Sequence, residues 1–332
     1  MDITQLLQFC VRQRASDLHI SAGMPPMMRV DGDMRRIKLP ALDAAAVQAM
    51  LNGLLDDAQR ASFAATKDLD FALSVPNLGR FRANFFYQQR GPAAVFRAIP
   101  EQVPCLADLG APAVLPTICQ ATQGLVLVTG ATGSGKSTTL AAMLDFKNAT
   151  CAEHILTIED PIEFVHQPKQ CLINQREVQR DTNNFTSALR AALREDPDTI
   201  LVGELRDLDT IRLALTAAET GHLVFATLHT RSAAQTINRI IDVFPAAEKT
   251  MIRSLLSTSL HAVIAQTLFK RLSGGRVAAH EILLNTPAVQ HLIREDKVAQ
   301  IFSAIQTGQA QGMQTLAQAT QPLIQQGIIE SC

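Results

Sequence analysis

The chain of 332 residues is long enough for two domains or one large one. With 47% hydrophobic and 18% charged residues it has the make-up of a globular protein, which excludes a disordered chain. Thirty Lys and Arg face 31 Asp and Glu, no Trp is present and there is a single Tyr. A general grip on polyanions and stacking platforms for single strands are therefore both missing, so nucleic acid is not an expected partner.

No apolar run approaches the ~18 residues of a membrane span, and Met1–Gln5 lacks the basic start of a signal peptide. The six cysteines, Cys10, Cys105, Cys119, Cys151, Cys171 and Cys332, contain no C-x-x-C pair. That pattern favours buried free thiols in a reducing compartment over zinc or disulfides. A soluble cytoplasmic protein is expected.

In chain order, Thr4–Arg14 carries a helical stripe at Leu6, Leu7, Cys10 and Val11. Residues 16–21 read as a short strand. Asp31-Gly32 is a two-residue hairpin signal between residues 27–30 and 34–37. Residues 43–65 read as helix, broken near Asn52-Gly53, and strands follow over 69–75, 79–88 and 93–99. This first part, 1–100, is a small α+β unit with an antiparallel sheet. Four prolines between Pro100 and Pro116 mark 101–116 as a linker and the natural hinge.

From residue 117 the pattern changes. Leu125–Val128 is a continuous apolar run, as in a parallel strand buried on both faces. Residues 154–159, 199–202 and 222–227 repeat it, and helical stretches at 136–146, 184–194 and 208–220 lie between. Alternating strands and helices imply a parallel sheet with crossover helices. Residues 262–270 and 276–284 then read as a hairpin, and the tail from Pro287 as helices broken at Gly308 and Gly312.

Gly130-Ala131-Thr132-Gly133-Ser134-Gly135-Lys136-Ser137 is G-x-x-x-x-G-K-[ST], placed between a buried strand and a helix. Its glycines let backbone N–H groups wrap phosphate oxygens, Lys136 reaches the β/γ-phosphates and Ser137 ligates Mg²⁺. Hydrolysis also needs groups that hold the metal, orient water and neutralise charge. Residues 199–204 form an apolar strand ending in Glu204. Residues 154–163 form another, ending in Glu159, Asp160 and Glu163 around a proline, a crowd of like charges that calls for a cation. His222 and His229 bracket a further strand and are candidates for sensing a γ-phosphate.

Taken together these stretches resemble the secretion-superfamily ATPases, and within them the branch that retracts type IV pili. The similarity runs over nearly the whole chain: Ala15-Ser16-Asp17-Leu18-His19, the phosphate loop through Thr138 to Met143, the acidic box Ile158–His166, the Walker B region 193–207 and the histidine box 221–230. It implies a PAS-like N-terminal domain, a RecA-like P-loop ATPase domain with C-terminal helices, and a homohexamer that hydrolyses Mg-ATP for pilin depolymerisation and twitching motility. Loop residues Gly130, Thr132, Gly133, Ser134, Gly135, Lys136, Ser137 and Thr138 then hold ATP, with Ser137 and, through water, Glu204 on the Mg²⁺ side. Glu163 matches the acidic-box glutamate that polarises water; spacing leaves open which of Glu163 and Glu204 is the base. His229, and more weakly His222, correspond to γ-phosphate contacts, and Arg82 and Arg97 to phosphate-reaching arginines of the N-terminal domain.

The resemblance also implies partners: an inner-membrane pilus platform protein, the pilus base and a paralogous retraction ATPase, with the motor peripheral at the cytoplasmic face of that membrane. Pilus-extension relatives carry an extra N-terminal domain and a tetracysteine zinc motif, and no C-x-x-C occurs here, so retraction is favoured and no zinc is expected. Gln290 and His291 replace an Arg and an Asn of the family's tail motif, and the chain ends at Cys332, earlier than usual. Both departures bear on motor output rather than hydrolysis. An accessory retraction ATPase, a nucleic-acid-translocating RecA-like motor and a nucleotide-binding module without turnover remain as alternatives.

Overall fold

The computed structural model describes residues 2–30, 32–99 and 102–330. The chain divides into two compact units, Met1–Gln102 and Val103–Cys332.

The first unit contains α1 (Ile3–Arg12), β1 (Asp17–Ser21), β2 (Met27–Val30), β3 (Asp33–Arg36), α2 (Ala44–Asn52), α3 (Asp57–Thr66), β4 (Asp68–Val75), β5 (Gly79–Gln88) and β6 (Gly91–Ile99). Its strands form one sheet in the order β3-β2-β1-β6-β5-β4, antiparallel throughout. Asp31 of the hairpin signal lies outside the described residues. The helical stretch breaks where the sequence suggests: Asn52 ends α2, and Asp56 with Gln59 forms a reciprocal capping box that starts α3. Alternation along β5 sends Phe81, Ala83 and Phe85 into a core with Phe96, Leu18 and Ile20. Arg80, Arg82 and Asn84 take the other face. This is the small α+β, PAS-like unit.

The second unit contains α4 (Val114–Cys119), β7 (Gly124–Thr129), α5 (Lys136–Thr150), β8 (His154–Glu159), β9 (Leu172–Glu177), α6 (Phe185–Ala192), β10 (Thr199–Val202), α7 (Leu208–Glu219), β11 (Leu223–Leu228), α8 (Ala233–Asp242), α9 (Lys249–Ser259), β12 (Leu260–Lys270), β13 (Arg276–Leu284), α10 (Pro287–Arg294), α11 (Ile301–Thr307) and α12 (Leu316–Gln325). Seven strands lie in the order β13-β12-β7-β11-β10-β8-β9, parallel except for the β12–β13 hairpin. Both faces are covered. Leu125 and Leu127 pack toward α6–α11, while Val126 and Val128 pack toward α4 and α5, so the strands read as unbroken apolar runs.

The proline-rich stretch is not an open connector. Pro100 and Glu101 lie outside the described residues, but Leu106 and Leu115 are buried in the second unit's core and Pro116 sits in the first turn of α4. Proline is tolerated there because the first N–H groups of a helix have no intrahelical partner. The expected linker 101–116 is thus part of the second unit from Val103 onward.

α5 follows the phosphate loop and ends beside Lys147, whose ammonium is fully buried. It donates to the carbonyls of Cys119 (3.1 Å) and Ala121 (3.3 Å) and pairs with Glu153 at 2.9 Å. A buried cation lacking such partners would cost several kcal/mol. Among the described residues no helix is long and apolar enough to cross a membrane.

Candidate functional site

Four neighbouring parallel strands, in the order β7-β11-β10-β8, end at one edge of the sheet. The phosphate loop leaves β7, His229 follows β11, Glu204 follows β10, and Glu159–Glu163 follows β8. The carboxyl edge of such a sheet is where ligands of open α/β folds sit, because both faces are occupied by helices.

Lys136 opens α5 and is 9% exposed. Its Nζ donates to the loop's own carbonyls, Gly130 at 2.9 Å and Ala131 at 3.1 Å, and lies 3.5 Å from His229 Nδ1. Burial lowers the lysine below its ordinary range, against the opposing pull of Glu204 and then Glu163. Glu204 is held by both neighbours: His229 Nε2 lies 3.1 Å from one oxygen, and Arg206 Nε donates to the other at 2.9 Å. Lysine, histidine, glutamate and arginine thus form one continuous polar chain at the strand ends. Ser134 Oγ is buried in the loop with no hydrogen-bond partner in the structure. A buried hydroxyl left unpaired costs about 1–3 kcal/mol, a cost that a phosphate oxygen held by this loop would offset.

The acidic box is tied down from the sheet edge by β9, a strand that the sequence reading left out. Gln175 donates to Glu159 (3.2 Å) and to the Phe164 carbonyl (2.8 Å), and accepts from the His166 N–H (2.8 Å). Glu177 accepts from the Ile162 N–H at 3.1 Å. These contacts fix the loop that carries Glu163, itself half-buried. Desolvation raises the Glu159 carboxyl to about 7, despite hydrogen bonds from Thr157 and Gln175 that favour its charged form.

The histidines are separated rather than gathered. His222 precedes β11, where its Nδ1 lies 3.1 Å from the Ala217 carbonyl. His229 lies at the other end of that strand. At ~3.3 Å per residue the pair stands roughly 20 Å apart. Within a single chain, His222 is therefore removed from the set of phosphate contacts, because an extended strand carries its two ends to opposite edges of the sheet.

Arg82 and Arg97 belong to the first unit, where they are direct cross-strand neighbours. Asp70 holds Arg82 through a two-point contact, with Nη2 to Oδ2 at 2.6 Å and Nε to Oδ1 at 3.1 Å. Asp17, only 5% exposed, accepts from Arg97 Nε at 2.9 Å. Each guanidinium is thus positioned by a carboxylate of its own sheet. Neither acid was identified as a site residue from sequence. Asp17 lies in the quoted Ala15–His19 stretch, but its partner is 80 residues away and becomes apparent only with the strand register.

A glycine-rich loop between a buried parallel strand and a helix, with lysine and carboxylates at the same sheet edge, defines a P-loop nucleotide-binding protein of RecA-like fold. The chain belongs to the Type II/IV secretion system protein family, whose model matches residues 1–274. It is 62% identical over 329 residues to the type IV pilus retraction ATPase PilT of Pseudomonas aeruginosa, covering 99% of this chain and 96% of that one. To the type IV pilus ATPase PilU of the same organism it is 41% identical, covering 99% and 86%. The crystal structure of the pilus retraction motor PilT with bound ADP superposes with a TM-score of 0.91 at 45% identity, covering 99% of this chain and 94% of that one.

Proposed function

We propose that this protein is a type IV pilus retraction motor, a hexamer that hydrolyses Mg-ATP on the cytoplasmic face of the inner membrane and drives pilin depolymerisation. The observation that carries the reading is the gathering of Lys136, His229, Glu204 and the Glu163 loop at one carboxyl edge, in a chain 62% identical to PilT over nearly its full length. The lower identity to PilU, 41%, favours the retraction motor over its accessory relative.

In this reading the loop's N–H groups and the amino end of α5 hold the nucleotide phosphates, and Lys136 exchanges the Gly130 and Ala131 carbonyls for phosphate oxygens. Ser137 and Glu204 are the residues that would hold Mg²⁺, which when bound neutralises charge on the phosphates. Glu163, on the loop pinned by Gln175, orients and polarises the attacking water. His229 takes the γ-phosphate side, linking Lys136 to Glu204. Arg82 and Arg97, pre-aligned by Asp70 and Asp17, supply positive charge as it is needed in the transition state. The nucleotide acts on the ring only through the difference in its affinity for the alternative domain arrangements.

Phosphate release by the purified protein, compared with Lys136→Ala, tests the enzyme. Deleting the gene, scoring pilus number and retraction, and complementing with Glu204→Ala tests the motor. A deletion strain that retracts its pili normally would refute the assignment.

A further inference from the structure

β12 runs parallel to β7, with Ile264 opposite Val128 and Ala265 opposite Thr129. The next residue, Gln266, therefore lies beside the point where the chain leaves β7 to form the phosphate loop. Its side chain is 3% exposed, and nothing in the mechanism above employs it. Both ends of its amide are engaged. Nε2 donates to the Ser134 carbonyl at 2.7 Å, while Oε1 accepts from Thr139 Oγ1 at 2.7 Å and from His280 Nε2 at 3.2 Å. His280 is the direct cross-strand neighbour of Gln266 on β13. Burial holds His280 far below the ordinary range, at about 4, so at neutral pH it carries one ring proton. Rotating the amide by 180° would set an oxygen against the Ser134 carbonyl, so the network admits a single orientation.

The same residue also shapes two of the loop's glycines. A Cβ on Gly130 would lie 2.4 Å from the Gln266 carbonyl oxygen, and one on Gly135 would lie 2.9 Å from Gln266 Nε2. The loop is thus pressed onto Gln266 at Gly130, Ser134 and Gly135, and the following helix is fastened to it at Thr139.

We propose that Gln266 is the positioning residue of the phosphate loop, locked in turn by His280. It acts through the main chain of Ser134 rather than on the nucleotide. The proposal rests on the reading of this loop as the nucleotide site. An anchored loop has its N–H groups aimed before phosphate arrives, so affinity does not have to offset the cost of ordering it. Ground and transition states share this benefit, and the loss should fall on KM rather than on kcat.

The test measures ADP affinity, KM and kcat for ATP, and Tm on the full-length protein. Gln266→Leu keeps volume but removes both sets of bonds. It should raise the ADP Kd and the ATP KM about tenfold with kcat within about threefold. His280→Leu, which touches no part of the loop, should raise both about threefold, whereas His280→Gln, which places an amide N–H near the Nε2 position, should restore them. Wild-type Kd and KM in Gln266→Leu overturn the proposal. So does a His280→Gln no better than His280→Leu, and this pair decides the matter if Gln266→Leu does not fold. Failure of the wild-type protein to bind ADP would instead overturn the reading of the loop itself.

Discussion

In the amino-terminal sheet, carboxylates and arginines meet across strands on an open face, Asp70 gripping Arg82 and Asp17 gripping Arg97. In the carboxy-terminal sheet, the site's charges gather only where strands end, at Lys136, Glu204 and the acidic box. The difference follows from how each sheet is covered. An antiparallel sheet packed on one face leaves the other for polar work, whereas a parallel sheet covered on both has only its edge. The face provides arginines whose spacing is set by register; the edge provides a cradle whose geometry is set by loops.

The sharpest way to break this contrast is at the edge. Lys136→Ala should reduce phosphate release by more than ~100-fold, and turnover near the wild-type rate would remove the loop from catalysis. Glu163→Gln and Glu204→Gln should each lower kcat by roughly 100-fold while ADP still binds. The base is the residue whose replacement leaves Mg-dependent nucleotide affinity unchanged; equal loss of that affinity in both would deny the division of roles. On the face, Arg82→Ala should retain ATP binding and lose turnover by about ten- to fiftyfold. Unchanged turnover there would leave the row of arginines with only a structural part.

The smallest expected effect is a pH dependence of stability. Glu159 holds its proton up to about 7 in the folded chain against 4.5 ordinarily, so across that window the unfolded state gives up a proton that the folded state keeps. Stability from this group therefore falls as pH rises from 4.5 to 7. His280 behaves in the opposite sense: its folded value of about 4 against 6.5 means that stability is lost on acidification through that interval. Melting curves of Glu159→Gln should decline less with rising pH, by a few degrees on the order expected for a large domain. Parallel curves for mutant and wild type would show that Glu159 is as solvated as a surface acid.

How much of this was legible in the sequence depended on contact range. The phosphate loop, the strand before it and the carboxylates at strand ends are local patterns, and Leu125–Val128 or Thr199–Val202 announce buried strands by composition alone. The break at Asn52-Gly53 was likewise readable. β9 was not, because Leu172–Glu177 is a half-exposed edge strand rich in polar residues, with one strand neighbour and little apolar signal. Gln175 and Gln266 escaped notice for a related reason. A glutamine in a strand carries no motif, and Gln266 meets Ser134 across 132 residues of chain. His222 departs from the expectation, while His229 does not, because proximity in sequence is not proximity along an extended strand. The proline-rich segment reads as a linker because proline opposes helix and sheet alike, yet Pro116 sits in the first turn of α4, where its missing N–H breaks no helical bond.

The helix that starts on one lysine finishes beside another. Lys147 joins the segment before β7, through the carbonyls of Cys119 and Ala121, to Glu153, which precedes β8. Glu153 in turn accepts from Thr199 at the start of β10 at 3.2 Å. One ammonium therefore gathers the roots of three strands, about 16 Å along α5 from the phosphate loop at 1.5 Å per residue. Fastened at both ends, α5 is a strut rather than a spring. A displacement of the loop therefore cannot be taken up by α5 alone without disturbing the buried Lys147 contacts at its far end.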